Sequence, residues 1–471
     1  MNFSARFAQA HIRLLAETVG IRAGGSAAER RAGGLIARYF RSLGLATRVQ
    51  PFRVQTPGSP FSEVRVEGLG VIPSRPVAAT ASTPAAGISG NLVFVETGED
   101  VHLPAVPGKI LLVYGELGTP EKYEALMRAR PAAIVLAENI RFIEPRLTKL
   151  SNERFDAFGA VPTVRIRFED AARLLRAGKT RIRIRTRVSH AWAASHNIIA
   201  ELPGTDPDAA IVVVGGHYDS VWGGYGAQDN AAGAAVVMEL ARIFARRTSR
   251  RTVRFVTFGS EELGLRGSTA YVEALKEAHG AEAPRRRPPA WKLRPTELER
   301  HRLMLNVDLQ GLLLGENYCP IGGPPELSSA CRLLSSERGP AFRFDDDCYS
   351  SDNAPFAHAG IPTAAFGRLG VELMWAHTPA DTLDRCHEES LQPIGEYLET
   401  FLSRWVIDAK AFPFPRVIPE EHRKKVEAYF RGRMFGYVES PAGGNGTGPA
   451  SSRTSRSRRS PSAARRGASG R

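Results

Sequence analysis

Cysteine is scarce. The 471 residues hold four (Cys319, Cys331, Cys348 and Cys386), none in a CxxC pair, so neither a disulfide framework nor a cysteine zinc site is expected, and any metal must be held by His, Asp and Glu. Long apolar runs are also missing: no stretch approaches the ~18 residues of a membrane span, and Met1–Gly20 is broken by Arg6, His11, Arg13 and Glu17, unlike a signal peptide. This predicts a protein with no membrane contact, placed in the cytoplasm, with secretion by another route left open. Lysine is rare, 9 against 54 arginines, an imbalance of the kind a GC-rich coding sequence produces and from which no function follows.

The length exceeds the ~100–200 residues of one domain, and 43% hydrophobic with 24% charged residues is a globular balance. A mini-protein scaffold, wholesale disorder and a fibrous rod are excluded. The net charge of +14 invites a nucleic-acid reading. Seven arginines (Arg453, Arg456, Arg458, Arg459, Arg465, Arg466 and Arg471) follow Ser440 with no acid among them, so half of the excess belongs to a Ser/Gly/Arg tail of disordered composition. The body is only mildly basic and shows no aromatic interleaving, so no specific nucleic-acid partner is expected. Oligomeric state is not readable.

Along the chain, residues 25–47 place Leu35, Ile36, Tyr39, Phe40 and Leu43 at helical spacing. Short β-rich runs follow (Leu92–Val95, Ile110–Val113, Ala133–Leu136, Val164–Phe168, Ile182–Val188), with one helix near Tyr123–Arg130. From Asn197 the texture alternates: strands Ile211–Gly216, Val253–Phe258 and Leu303–Leu309, helices Ala231–Arg246 and Gly264–Lys276, and a closing helix Leu391–Ile407. Apolar strands alternating with helices predict an α/β fold, a mixed, mostly parallel sheet covered on both faces, plus a small β-rich inserted domain. The expected divisions are 1–59 (helical), 60–190 (insertion), 191–411 (catalytic) and 412–471, where order fades. Pro284–Pro295 reads as a surface insertion.

Ligand sites in such sheets lie at the carboxyl ends of strands. His217 and Asp219 follow Ile211–Gly216, Asp229 opens a helix, Glu261 and Glu262 follow Val253–Phe258, Asp308 ends Leu303–Leu309, and His377 lies in WAHTPADT. Singly, each has a plain reading: a hydrogen-bonded structural His, an N-cap Asp, a solvated Glu pair. Together they suit divalent metal. Three ligands would serve one ion; five, one of them bridging, would serve two ions ~3.5–4 Å apart. Asp308, between an apolar strand and Gly311, would be costly to bury without a cation or donors. His11, His102, His279, His301 and His422 sit in polar, surface-like segments, and His190, His196, His358 and His387 lack an aligned acid, so these are expected to be structural.

GGHYDS (Gly215–Ser220), GAQDNAAGAAVVMELAR (Gly226–Arg242), VRFVTFGSEELGLRGSTAYV (Val253–Val272), NVDLQG (Asn306–Gly311), SDNAPFAHAGIP (Ser351–Pro362) and HTPADT (His377–Thr382) resemble, in order, the co-catalytic zinc peptidase family of bacterial leucyl aminopeptidases, glutamate carboxypeptidase and glutaminyl cyclases. The resemblance covers about Asn197–Ile407. It implies two zinc ions per chain bridged by Asp229, with His217 and Asp308 completing one site and Glu262 and His377 the other. It makes Glu261 the general base and sets Asp219 behind His217, fixing its tautomer. SHNIIAELPGTDP (Ser195–Pro207) and the helix-then-AAIVLAE pattern at Tyr123–Glu138 make residues 60–190 similar to the family's protease-associated insertion. Three departures stand out. Gln228 takes the place of an acid, Asn353 that of a histidine, and Tyr349 matches an oxyanion-stabilising tyrosine only with a one-residue slip.

The resemblance implies an aminopeptidase that hydrolyses N-terminal residues from peptides with a hydroxide shared by the two zinc ions, Glu261 carrying the proton to the leaving amine. Trp375, Met374 and Phe356 are candidate pocket walls. A carboxypeptidase or cyclase on the same fold is the alternative, and would need cations such as Arg368 or Arg266 in the pocket. An inactive binding module would have lost ligands, and none is lost here.

Overall fold

A computed structural model describes residues 2–77, 80–99, 106–117, 120–147, 157–178, 180–282, 294–347 and 350–432. Most of Pro284–Pro295, the tail beyond Ser440, His102 and Tyr349 therefore lie outside the described residues.

One eight-stranded sheet runs in the order Ala46–Thr56, Ala191–Leu202, Thr252–Phe258, Ile211–His217, His301–Val307, Thr363–Leu369, Glu316–Gly322, Phe342–Asp345. Its four central strands, from Thr252–Phe258 to Thr363–Leu369, are parallel. Both faces are buried, which is why these strands read as continuous apolar runs rather than alternating ones. Val212, Val214, Leu303 and Leu305 enter one core cluster, while Val213, Val256 and Met304 enter another. The fold is thus mixed α/β, as expected.

The helix Ala232–Phe244 is almost wholly buried and lies so close to the sheet that a Cβ at Gly233 would collide with the Val307 carbonyl. Only glycine permits that approach. The N-terminal helix Ala5–Ile12 packs into the same core through Ala8 and Ile12. The helix Glu388–Phe401 adds Leu391, Ile394, Leu398 and Phe401.

A second eight-stranded sheet is built from residues 61–187, ordered Gly70–Ile72, Phe61–Val66, Arg181–Arg187, Ile88–Phe94, Ile110–Tyr114, Ala133–Ala137, Thr163–Ile166, Ser74–Pro76. Ile110 and Leu112 face one small core and Leu111 and Val113 another, so this sheet too is covered on both sides.

Two expectations need correction. The chain does not lose order at Phe412: Glu420–Gly432 is a helix whose Val426 and Phe430 pack on Leu265, Ala354 and Ala357, one apolar stripe at i, i+4 spacing. Nor are His301 and His422 surface residues. Both are buried, and His301 bonds to the Tyr271 hydroxyl and the Glu297 carbonyl. No helix among the described residues is long and apolar enough to cross a membrane.

Candidate active site

The parallel strands end in one crevice. His217 closes its strand beside Phe258, and Val307 ends beside Phe366, so residues just past these ends converge. Short breaks in regular backbone aim them. Gly226 is left-handed (φ 57) and opens the turn Ala227–Ala231, in which Asp229 and Asn230 leave helical dihedrals and are joined by a cis peptide. The Asn230 amide then donates to the Val307 carbonyl and accepts from the Gly233 N–H, tying this turn to the neighbouring strand. Glu261 and Glu262 lie in a 3-10 turn entered through left-handed Ser260, not in extended backbone.

Asp229 is central. Its Oδ1 lies 3.2 Å from His217 Nε2 and its Oδ2 lies 3.1 Å from His377 Nε2, so its two oxygens face two different imidazoles. Around the first, Asp308 Oδ1 is 3.5 Å and Glu261 Oε2 4.0 Å from His217 Nε2. Around the second, Glu262 Oε2 is 3.2 Å from His377 Nε2. Two triads result, His217/Asp229/Asp308 and Asp229/Glu262/His377, each with its ligand atoms mutually within 4.8 Å. Asp219 stands 3.4 Å from His217 Nδ1 and accepts the backbone N–H groups of Glu261 and Glu262, holding the imidazole and the glutamate turn together.

The set fits divalent cations. Glu262 Oε1 and Asp308 Oδ1 are buried without a hydrogen-bond partner, a state that buried polar atoms rarely tolerate. Imidazole nitrogen with carboxylate oxygen is also a borderline-to-hard donor set suited to such ions. The electrostatics agree. Burial disfavours a charged imidazole at His217, yet Glu261, Asp219, Asp229 and Asp308 outweigh it and raise its pKa well above the ordinary value. His377 is raised in the same way, by Glu262 and Asp229. Burial lifts Glu261 well above the carboxylate range, with Glu262, Asp352 and Asp308 adding to it. The crevice draws positive charge from whatever source is present.

All of these residues fall within 197–402, the span that matches Peptidase family M28. That match marks residues 197–402 as the peptidase part of the chain. Over nearly its whole length the chain is similar to aminopeptidase YwaD of Bacillus subtilis, at 29% identity over 446 residues, covering 91% of this chain and 90% of that one. It is 29% identical over 222 residues to leupeptin-inactivating enzyme 1 of Streptomyces exfoliatus, covering 45% of this chain and 46% of the other. Among solved structures it resembles BSAP, a zinc aminopeptidase from Bacillus subtilis, with a TM-score of 0.71 and 28% identity, covering 88% of this chain and 99% of that chain.

Four buried charges of the peptidase escaped the sequence analysis. Arg22 donates to the carbonyls of Tyr218, Tyr225 and Gly226, clamping the loops that carry Asp219 and Asp229. Asp381 accepts the N–H groups of Gln228 and Asp229, and burial lifts its pKa to about 7. Asp352 is lifted likewise, to about 7. Glu29 accepts from the Ser195 and Ser260 hydroxyls and the Gly25 N–H, and burial with Asp219 nearby raises it to about 8. Asp352 and Asp381 sit inside the quoted SDNAP and HTPADT motifs. Arg22 and Glu29 carry no motif.

Several expected contacts do not form. Phe356 is core, against Phe258 and Tyr271. Trp375 lies under the Arg385 guanidinium, and neither it nor Met374 lines the cavity beside Glu262 and His377. The Gln228 side chain turns away to the Arg385 carbonyl, and Asn353 is buried at the start of the helix Asn353–His358. Arg368 bonds to the Leu312 and Leu313 carbonyls and to Asn317. Arg266 bonds to the Leu263 carbonyl.

Proposed function

We propose that this peptidase is a co-catalytic zinc aminopeptidase with two zinc ions per chain. The observation that carries the reading is Asp229, whose two oxygens face His217 and His377 separately, as a bridging carboxylate must. His217 and Asp308 would complete one zinc site, Glu262 and His377 the other. Zinc follows from the likeness to a zinc aminopeptidase and from the donor set. Bound there, the ions supply Lewis acidity to the scissile carbonyl and to the attacking water.

The remaining work falls to the chain. Glu261, anchored through its N–H to Asp219 and lying beside the crevice without belonging to either triad, takes the water's proton and passes it to the leaving amine. Asp219 keeps His217 oriented so that Nε2 faces inward. Aminopeptidase rather than carboxypeptidase action is supported by the likeness to YwaD and by the engagement of Arg368 and Arg266 in structural bonds, which leaves neither arranged to hold a terminal carboxylate. Peptides are the substrates, with no nucleic-acid or membrane partner. A cytoplasmic setting belongs to the same reading, as does the protease-associated character of residues 60–190, supported by their separate sheet. Incubating the zinc-loaded protein with a peptide library and reading products by mass spectrometry tests it. Stepwise loss from the N-terminus is expected; trimming from the C-terminus, or no cleavage, would overturn it.

A further inference from the structure

Part of one face of the second sheet is lined with arginine. In the strand Arg181–Arg187, Ile182 and Ile184 enter a core with Val64 and Val66, so Arg181, Arg183, Arg185 and Arg187 stand on the other side. Antiparallel pairing sets Arg187 opposite Phe61, Arg185 opposite Glu63 and Arg183 opposite Arg65. On the other flank Arg183 lies opposite Ser89 and Arg181 opposite Asn91. Farther across the sheet the same side is covered: Val93, two residues beyond Asn91, pairs with Leu111, and both belong to the small core that holds Tyr123 and Leu126 of the helix Pro120–Arg128. That cover stops short of the arginines, for Arg65, Arg181, Arg183 and Arg187 are exposed.

The charge is poorly answered from within. Two carboxylates lie near these guanidiniums: Glu63, 3.8 Å from Arg185 and 4.0 Å from Arg65, and Glu67, past the strand end, whose N–H donates to the Arg181 carbonyl. No ion pair among the described residues involves Arg181, Arg183 or Arg187. Arg183 directly opposite Arg65 is a like-charge cross-strand pair, which costs stability. Phe61 steadies two of the row, with the Arg185 and Arg187 guanidiniums 5.9 and 5.8 Å from its ring centroid. A face built this way is suited to an anion from outside.

We infer that this face is a docking surface for an extended polypeptide segment that carries acidic side chains at alternate positions. Spacing favours a peptide. Alternate residues of a strand are about 7 Å apart, so the four arginines present a repeat, about 20 Å long, that alternate carboxylates of another extended chain match one to one. Guanidinium forks also take carboxylates two bonds at a time. A single-stranded nucleic acid would need successive aromatic side chains for its bases, and this row offers one, Phe61. None of these arginines lines the cavity beside Glu262 and His377, to which the same region contributes Pro60, Pro76 and Leu147, so a docked segment need not occupy it.

Fluorescence anisotropy tests this with the full chain and a peptide of eight Glu-Thr repeats, labelled on its N-terminus so that it cannot be trimmed there. The alternating peptide should bind, more weakly as salt rises. An isomer built of Glu-Glu-Thr-Thr repeats, which puts half its carboxylates on the far side, should bind several-fold more weakly. The double variant Arg183→Gln/Arg187→Gln should weaken binding by about tenfold or more, with Tm unchanged or raised because the like charge opposite Arg65 is gone. Arg31→Gln/Arg38→Gln, exposed positions on the helix Ala27–Ser42, removes the same charge elsewhere and should leave binding within about twofold. Absence of binding overturns the inference. So does equal loss in both double variants, equal binding of the isomer, or tighter binding of a labelled oligothymidylate of matched charge, each of which marks attraction by net charge alone.

Discussion

Arg22 offers the sharpest test of how the crevice is held. Its guanidinium is fully buried, and burial lowers its pKa only to about 10, so it is charged at neutral pH. Three short bonds, to the carbonyls of Tyr218 (2.6 Å), Tyr225 (2.5 Å) and Gly226 (2.7 Å), fasten the backbone on either side of the crevice, with Asp219, Asp381, Asp229 and Glu262 in its field. Arg22→Met keeps the stem and removes the charge and every donor. Charge-assisted bonds contribute roughly 1.5–3 kcal/mol each but do not add, and removing one partner from a buried charged network costs about 3–5 kcal/mol. We therefore expect the metal-free variant to lose at least ~3 kcal/mol, which at roughly 2 °C per kcal/mol for a large domain is a fall of about 6 °C in Tm. Arg22→Lys, which keeps the charge but not the fork, should fall between the two. Differential scanning fluorimetry with and without zinc reads both. Zinc should raise the Tm of Arg22→Met by more than it raises the wild type's, because the acids have lost their resident cation. A metal-free Arg22→Met melting within a degree of wild type would refute the reasoning.

Glu261→Gln should lower turnover at least ~10²-fold with metal content unchanged, whereas Glu262→Gln should lose part of the metal measured by elemental analysis; the reverse pattern would exchange the two roles. Asp229→Ala should weaken both sites at once, and chelation should lower the wild-type Tm, since metal at a hundred times its Kd contributes about 2.7 kcal/mol. His301 is pushed down to about 3 by burial and by Arg254, so between its ordinary value of 6.5 and about 3 the folded state binds fewer protons than the unfolded chain. Its contribution to stability is complete above pH 6.5 and fades as pH falls; His301→Gln should flatten the fall in Tm between pH 6.5 and 4, and an unchanged slope would count against it. Removing 440–471, which lacks apolar periodicity, should leave kcat/KM and Tm nearly unchanged.

The parallel sheet was legible because strands buried on both faces leave an unmistakable pattern: Ile211–Val214 carries no polar residue, all four side chains are buried, and those of Val212, Val213 and Val214 enter core clusters. Most of the residues brought together in the two triads were legible because they end or follow a strand or precede a helix; His377, in a loop beyond Val371–Trp375, was legible only from its HTPADT motif. Arg22 and Glu29 were not, and the reason is distance. Their partners lie about 200 residues on, and Glu29 looks locally like an ordinary helix start, with Ser26 accepting its N–H and Gly25 donating to its carboxylate. That local bond uses one oxygen. The other joins Ser195 and Ser260 beside the glutamate turn, a role no helical pattern encodes.

Conformation separates what sequence order places from what it cannot aim. Three non-glycine residues at the crevice are left-handed: Ser260 (φ 55), Leu309 (φ 57) and His377 (φ 61). Ser260 precedes Glu261 and Leu309 follows Asp308, so two of these reversals adjoin a strand-end carboxylate and the third is itself a ligand candidate. Such backbone costs of order 1–3 kcal/mol per residue, and leucine and serine do not favour it, so local propensity does not place these reversals. What sustains it is the surrounding bonding. The Ser260 hydroxyl is held by Glu29, the Leu309 carbonyl by the Arg368 N–H, and the His377 carbonyl by the Leu147 N–H. Each bond comes from a segment remote in sequence, and the last from the second-sheet region, so that region helps to aim a residue of the metal crevice as well as to wall the cavity beside it.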